Sequence, residues 1–292
     1  MREGNDPVGG TSAEILALTV DPNYSGKNLP AWFLFNTYLQ KHLGLRMRFS
    51  PFEDFYACRK AILGGQYDLV YANPFDWVQY RDKAGFEPLV KPREHYDEVY
   101  LCVREDSDIR SLADLPERLR IASASPETLV HMVGLFLLDR AEVDRARLDF
   151  HFTGSYRSVL QALLQGQAQL GFVFNEVFDA ASSVVRKGLR VIARSDDAFA
   201  FHAFCAGPRL LPRREELVHV LCAMTEEEGG RRLLADLGFS GFAPVADSEV
   251  ECLTVLAEEY ISGHEAIDIR ATSSVAVDDT AFVVAREDPP DT

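Results

Sequence analysis

A segment near residue 60 recurs about a hundred residues later, and this repetition limits the possible folds more than any other feature. The first copy reads Ala61-Ile62-Leu63-Gly64-Gly65-Gln66-Tyr67-Asp68-Leu69-Val70-Tyr71-Ala72-Asn73. The second reads Ala162-Leu163-Leu164-Gln165-Gly166-Gln167-Ala168-Gln169-Leu170-Gly171-Phe172-Val173-Phe174-Asn175-Glu176. Each is the apolar end of a helix, a glycine able to take the left-handed conformation at the helix stop, and a short buried strand that runs into an Asn. Two βα halves of one design, each with a polar residue just past a strand, predict two similar lobes. Their strand ends face a shared crevice, the place where open α/β sheets bind ligands.

At 292 residues, 47% of them hydrophobic, the chain is long enough for two cores. A formal net charge of −15 argues against nucleic acid and anionic membrane surfaces as partners, because both need clustered Lys and Arg. It leaves small anions open, since a local cradle of N–H groups holds an anion even inside an acidic protein. The cysteines Cys58, Cys102, Cys205, Cys222 and Cys252 lack C-x-x-C spacing, so neither a zinc site nor a disulfide framework is expected. They read as buried free thiols of a reducing compartment. Residues 1–14 contain no apolar h-region, and no run approaches the ~18 apolar residues of a membrane span. As written, the chain is expected in the cytoplasm, or in the periplasm if a native signal or lipid anchor is missing from the sequence.

Along the chain, residues 1–13 read as a tail and 263–292 as an acidic extension with a strand at Ala281–Val284. The first lobe is expected from 14–97 plus 198–262, the second from 98–197. Helices are predicted over Pro30–His42, Phe52–Leu63, Pro74 to Gly85, Leu129–Arg140, Ser155–Gln165, Arg213–Met224, Glu226–Leu237 and Ser248–Ile261. Strands are predicted over Ile15–Val20, Arg46–Ser50, Tyr96–Val103, Arg120–Ala122, Leu148–Phe152, Leu189–Ala193 and Phe199–Ala206. Residues 21–28 read as a loop. Asn73 before Pro74 is a helix N-cap signal.

This order of elements, together with several local phrases, resembles the phosphonate/phosphite/phosphate-binding proteins of ABC importers, a family with the type II periplasmic binding-protein fold. The phrases are Tyr38-Leu39-Gln40-Lys41-His42-Leu43-Gly44, Gly65-Gln66-Tyr67-Asp68-Leu69, Ala84-Gly85-Phe86-Glu87-Pro88-Leu89, the run from Asp106 to Leu115, Gly154-Ser155-Tyr156 and Leu164-Gln165-Gly166-Gln167. They fall in order between residue 15 and about residue 245. The resemblance implies an α/β fold of two lobes, each a central sheet flanked by helices, joined by two crossover strands. It implies a non-catalytic protein that closes on a small anionic or zwitterionic ligand, without a cofactor, and delivers it to an ABC permease or reports it to a regulatory partner. Two readings stand beside it: a cytoplasmic enzyme on the same fold, of menaquinone- or thiamine-pathway type, and a sensing or interaction module with an altered pocket. No H-E-x-x-H, G-x-S-x-G, Walker or dinucleotide fingerprint favours the enzyme.

The family holds phosphonate oxygens at helix starts, typically with a Ser-Thr-Ser-Gly run. The matching place here is Ser123-Ala124-Ser125-Pro126, with Ser125 expected as N-cap, Pro126 as the first helical residue, and free N–H groups at Glu127 and Thr128. Glu127 competes for that positive end. Ser155 and Tyr156 open the next helix. Glu176 matches the carboxylate that aminophosphonate-binding relatives keep for the ligand's amine, and Asp196 is its candidate partner. Across the cleft, Tyr24, Ser25, Asn73, Phe75 and Trp77 supply hydroxyl, amide and aromatic surface. Core and capping roles stand beside these ligand roles. His95, His131, His151 and His202 have no partner at ligand spacing and read as structural or surface residues.

Overall fold

The computed structural model describes residues 15–25, 28–196 and 198–263, without the side chains of Ser25 and 261–263. The tail, the extension and its expected strand at 281–284 lie outside the described residues. The chain opens with β1 (Leu16–Val20), α1 (Pro22–Ser25), α2 (Leu29–Leu43), β2 (Met47–Phe49), α3 (Phe55–Leu63), β3 (Leu69–Ala72), α4 (Pro74–Ala84) and β4 (Glu87–Pro92). A second group follows: β5 (Val99–Arg104), β6 (Leu119–Ser123), α5 (Leu129–Arg140), β7 (Leu148–Phe152), α6 (Tyr156–Leu164), β8 (Leu170–Phe174), α7 (Asn175–Asp179), α8 (Ser183–Lys187) and β9 (Leu189–Arg194). The chain then returns through β10 (Ala203–Ala206), α9 (Arg214–Cys222), α10 (Glu228–Leu237), β11 (Phe242–Pro244) and α11 (Asp247–Gly263).

These strands build two mixed sheets, ordered β11-β4-β10-β3-β1-β2 and β7-β6-β8-β5-β9. The chain passes between them through 93–98 and comes back through 195–202, and the Asp97 N–H donates to the Ala200 carbonyl at 2.8 Å where the two passages meet. The expected loop at 21–28 contains α1, and β4, β11, α7 and α8 form where no clear periodic signal predicts them. The expected strand Phe199–Ala206 shrinks to β10, because 199–202 serve as connector.

Register decides what meets at the sheet edges. In the first sheet β1 and β3 run parallel with Val20 opposite Tyr71, so Asp21 and Asn73 emerge at the same edge. Antiparallel β10 places Ala203 opposite Ala72, which delivers His202 to that edge from the other direction. In the second sheet Ser123 lies opposite Phe152, and β8 runs parallel beside β6. The loops after β6, β7 and β8 therefore share one edge, and antiparallel β5, with Val99 opposite Phe174, brings Asp97 and Glu98 to it.

One core fills the first lobe around Trp32, Phe35, Leu39, Tyr71, Phe204 and Phe242. The other runs from the second sheet through α4 and α5 to Leu253, Ala257 and Tyr260 of α11, so α11 ties the lobes together from behind. Cys58, Cys102 and Cys205 are buried as expected, whereas Cys222 is partly exposed and Cys252 exposed; both ride on amphipathic helices whose outward faces are wet. All five are free thiols.

Helix α5 reaches its sheet only because residue 134 is glycine: a Cβ there would sit 2.4 Å from the Phe172 ring. Gly134→Ala is expected to cost about 1–3 kcal/mol through overpacking, read as a lower denaturant midpoint at unchanged m-value.

Candidate functional site

The polar residues delivered to the edge of the first sheet form a buried network. Asp21, 2% exposed, accepts hydrogen bonds from the Asn73 backbone at 3.0 Å and side chain at 2.8 Å, and from His202 Nε2 at 3.1 Å. The other imidazole nitrogen, Nδ1, faces Asp97 at 2.8 Å. An imidazole with a carboxylate on each nitrogen is held as the imidazolium, which donates from both. Burial by itself lowers the pKa of His202, but the charge of Asp97 and the hydrogen bonds His202 donates to Asp21 and Asp97 outweigh it and raise it to about 10. Asn73 also caps α4, accepting from the Asp76 N–H and donating to the Asp76 carboxylate at 2.8 Å.

A second chain of contacts crosses between the lobes. Arg59 of α3 donates through Nε to the fully buried Asp76 at 2.6 Å, and through its other nitrogens to the carboxylate of Glu127 at 2.9 Å and to the Glu127 carbonyl. Burial pushes the Asp76 carboxyl up to about 6, against the opposing pull of Arg59. Glu127, expected to compete with a ligand, is instead the second lobe's anchor for this arginine. The third bridge is Glu176, just past β8: Tyr24 of α1 donates its hydroxyl to Oε1 at 2.9 Å, and His95 Nε2 contacts the same oxygen.

Between these bridges lies a cavity of about 630 Å³. Pro22, Asn23 and the start of α3 (Glu53, Asp54, Phe55) line it from the first lobe; Gly154, Ser155, Tyr156 and Arg157 line it from the second, with Phe174, Glu176 and one face of α7 and α8. Ser155 caps α6, accepting from the Ser158 N–H at 3.2 Å, and Asp54 caps α3 on the opposite wall. Two helix starts thus face one space, and the N–H groups of a first helical turn have no partner within their helix.

The structure brings some of the expected residues to this space and keeps others from it. Ser155, Tyr156 and Glu176 line it, and Tyr24, itself buried, is tied to it through its hydrogen bond to Glu176. Asn73 is buried as cap and network member, and Phe75 is covered by Tyr260 and Arg59. Trp77 lies in the core, fully buried. Ser123 is also fully buried, its hydroxyl 3.0 Å from His131 Nδ1. The cap of α5 is Thr128 rather than Ser125: Thr128 accepts from the His131 N–H, while Ser125 accepts from the Glu127 N–H at 3.2 Å and Pro126 stays outside the helix. A proline fits the first helical position, but here it serves the turn that presents Glu127 to Arg59. Tyr156 reaches Thr128 through its hydroxyl. Asp196 is exposed and does not line the cavity, so it is not the partner of Glu176. Ser25 closes α1, with its side chain outside the described residues.

Sequence reading missed Asp21, Arg59 and Asp97 as members of the site, and took His95 and His202 as isolated. Asp21 carried a usable signal, since it follows β1 as Asn73 follows β3. No spacing rule links the others, which lie 68 residues apart for Arg59–Glu127 and 105 for Asp97–His202.

Comparison with known proteins adds the family. Residues 18–250 match the profile of the phosphonate periplasmic substrate-binding proteins of ABC transporters. The chain belongs to that family. It is a family of binding proteins, not of enzymes, and its members are periplasmic. Among solved structures, PhnD1 from Prochlorococcus marinus in complex with methylphosphonate aligns with a TM-score of 0.73 at 15% identity, covering 85% of this chain and 98% of that one. XAC2383 from Xanthomonas citri bound to chloride gives 0.69 at 16% identity, covering 86% and 99%. The periplasmic aliphatic sulphonate binding protein SsuA from Escherichia coli gives 0.64 at 14% identity, covering 86% and 88%. At these identities the likeness establishes the fold, the type II periplasmic binding-protein architecture. No significant match occurs among curated proteins. Among the described residues no helix is long and apolar enough to cross a membrane.

Two outcomes follow for this binding protein. Arg59→Met leaves the Asp76 carboxylate buried without its cation and is expected to cost about 3–5 kcal/mol, whereas Glu127→Gln, at a partly exposed site, costs less than about 1 kcal/mol; chemical denaturation separates them. His202 has a folded pKa of about 10 against an ordinary value of 6.5. Its contribution to stability is therefore complete below pH 6.5 and is lost as pH rises toward 10. Denaturation free energies measured across that window should decline, and His202→Gln should flatten the decline.

Proposed function

We propose that this chain is the solute receptor of an ABC importer and closes its two lobes around a small phosphorus oxyanion: a phosphonate, phosphite or phosphate. The observation that carries this reading is the cavity between opposed helix starts in a chain of the phosphonate-binding family. The start of α6 supplies N–H groups and the Ser155 hydroxyl, with Arg157 at the rim, a set suited to an anion. Tyr156 lines the cavity beside it, with Thr128 buried behind its hydroxyl. Tyr24 and Glu176 close from the two sides over the part of the ligand that points away from α6. Ser123, Ser125, Asn73, Phe75 and Trp77 hold the frame rather than the ligand. The methylphosphonate bound to PhnD1 and the sulphonate specificity of SsuA, on the same fold, support a tetrahedral oxyanion of this size.

The connecting segments 93–98 and 198–202 act as the hinge, with a few residues taking up the change as the lobes part and close. A permease that recognises the closed form is the expected protein partner, and the working place is the periplasmic side of the membrane. The closed form depends on contacts between the lobes that a bound solute reinforces.

Calorimetry against methylphosphonate, phosphite, phosphate and alkanesulphonates tests the reading. At least one phosphorus oxyanion should bind, and at a hundred times its Kd it should stabilise the fold by about 2.7 kcal/mol. Absence of both heat and thermal shift with every member of the panel overturns it.

A further inference from the structure

Glu176 is a buried-edge carboxylate lining the cavity, placed where an ammonium group on a ligand would find it. In this chain, however, its Oε1 is already engaged twice by the protein. Tyr24, only 4% exposed, donates its hydroxyl from the first lobe, and His95 contacts the same oxygen from the first connecting segment. The His95 ring is fixed from behind by Phe239, edge to face at 5.5 Å. The wall that continues from Glu176 is apolar: Leu160, Leu164, Val177, Ala180, Ala181 and Val185. The acids Glu53 and Asp54 also line the cavity, but both are exposed, and Asp54 is engaged as the cap of α3, accepting from the Ala57 N–H at 2.8 Å. Exposed charges are screened by water and salt, so they discriminate ligands weakly.

We infer that His95 is a specificity-determining residue: it serves as the protein's own counter-group to Glu176, so the site takes oxyanions with an uncharged alkyl tail and disfavours those whose tail carries an ammonium. An ammonium that takes Oε1 of Glu176 must displace His95 and Tyr24, which strands a buried hydroxyl; an alkyl tail lies along the Leu160–Val185 wall and leaves both contacts intact. The inference rests on the proposed function, since it assigns the tail pocket of that same oxyanion site.

The test compares n-propylphosphonate with 2-aminoethylphosphonate, which match in length and differ at the terminal group, by calorimetry on the full chain. Wild-type protein should bind the propyl compound at least about tenfold more tightly, a difference of roughly 1.4 kcal/mol. His95→Ala removes one of the two groups on Oε1 of Glu176 and should shrink or invert that ratio, while His95→Gln, which keeps a donor in place, should retain most of it. Equal or tighter binding of 2-aminoethylphosphonate by the wild type, or a ratio unmoved by His95→Ala, overturns the inference and leaves the proposed function standing. Binding of neither compound, nor of any other oxyanion, overturns both.

Discussion

Everything at the cleft rests on a buried imidazolium between two carboxylates. His202 joins Asp21, at the end of β1, to Asp97, in the first passage between the lobes, and it does so from the second passage. Burying three ionisable groups is costly in isolation, and the arrangement holds because the imidazolium partners both carboxylates and the Asp21 oxygen it uses also accepts two N–H donors from Asn73. The consequence is mechanical. Both connecting segments are fastened to the rigid edge of the first sheet, so any movement of the second lobe starts from a fixed root.

On that root the lobes meet through contacts of different strength. The Arg59–Asp76 half of the outer bridge is buried in the first lobe and acts as frame, while the Arg59–Glu127 half reaches a partly exposed carboxylate on the other side. A bridge with one firm and one wet end suits a contact that opens and closes, because the exposed end loses little on parting. Glu176 with Tyr24 and His95 forms the inner bridge, next to the cavity itself. Behind the hinge, α11 packs on α4 and sends the Tyr260 hydroxyl to the Pro126 carbonyl at 2.9 Å, which limits how far the lobes separate on that side.

The sequence revealed much of the frame and little of the site. The repeated βα unit announced both sheets, and Asn73 and Gly85 marked the ends of α4 correctly, with Gly85 at φ 69° in the left-handed region. Those signals are local: a cap or a stop is written within four residues. The helix Leu129–Arg140 forms where expected, but its cap is Thr128 because Ser125-Pro126, an equally good local signal, sits in the turn that presents Glu127 to Arg59, 68 residues away from it in sequence. Trp77 sits one turn from a strand end, as a stacking residue would, but the face of α4 on which it falls packs into the core. The histidines failed for the same reason: His202 and His95 acquire meaning only when the register of β10 and β5 carries them to carboxylates on other elements.

The central claim is that two lobes on a common root close around an oxyanion. Spin labels at Lys60 on α3 and Val184 on α8, both exposed and on opposite lobes, report it by double electron–electron resonance. The account predicts that saturating methylphosphonate shortens and narrows the distance distribution between the two labels. A distribution unchanged by any phosphorus oxyanion, with the protein folded, would contradict it.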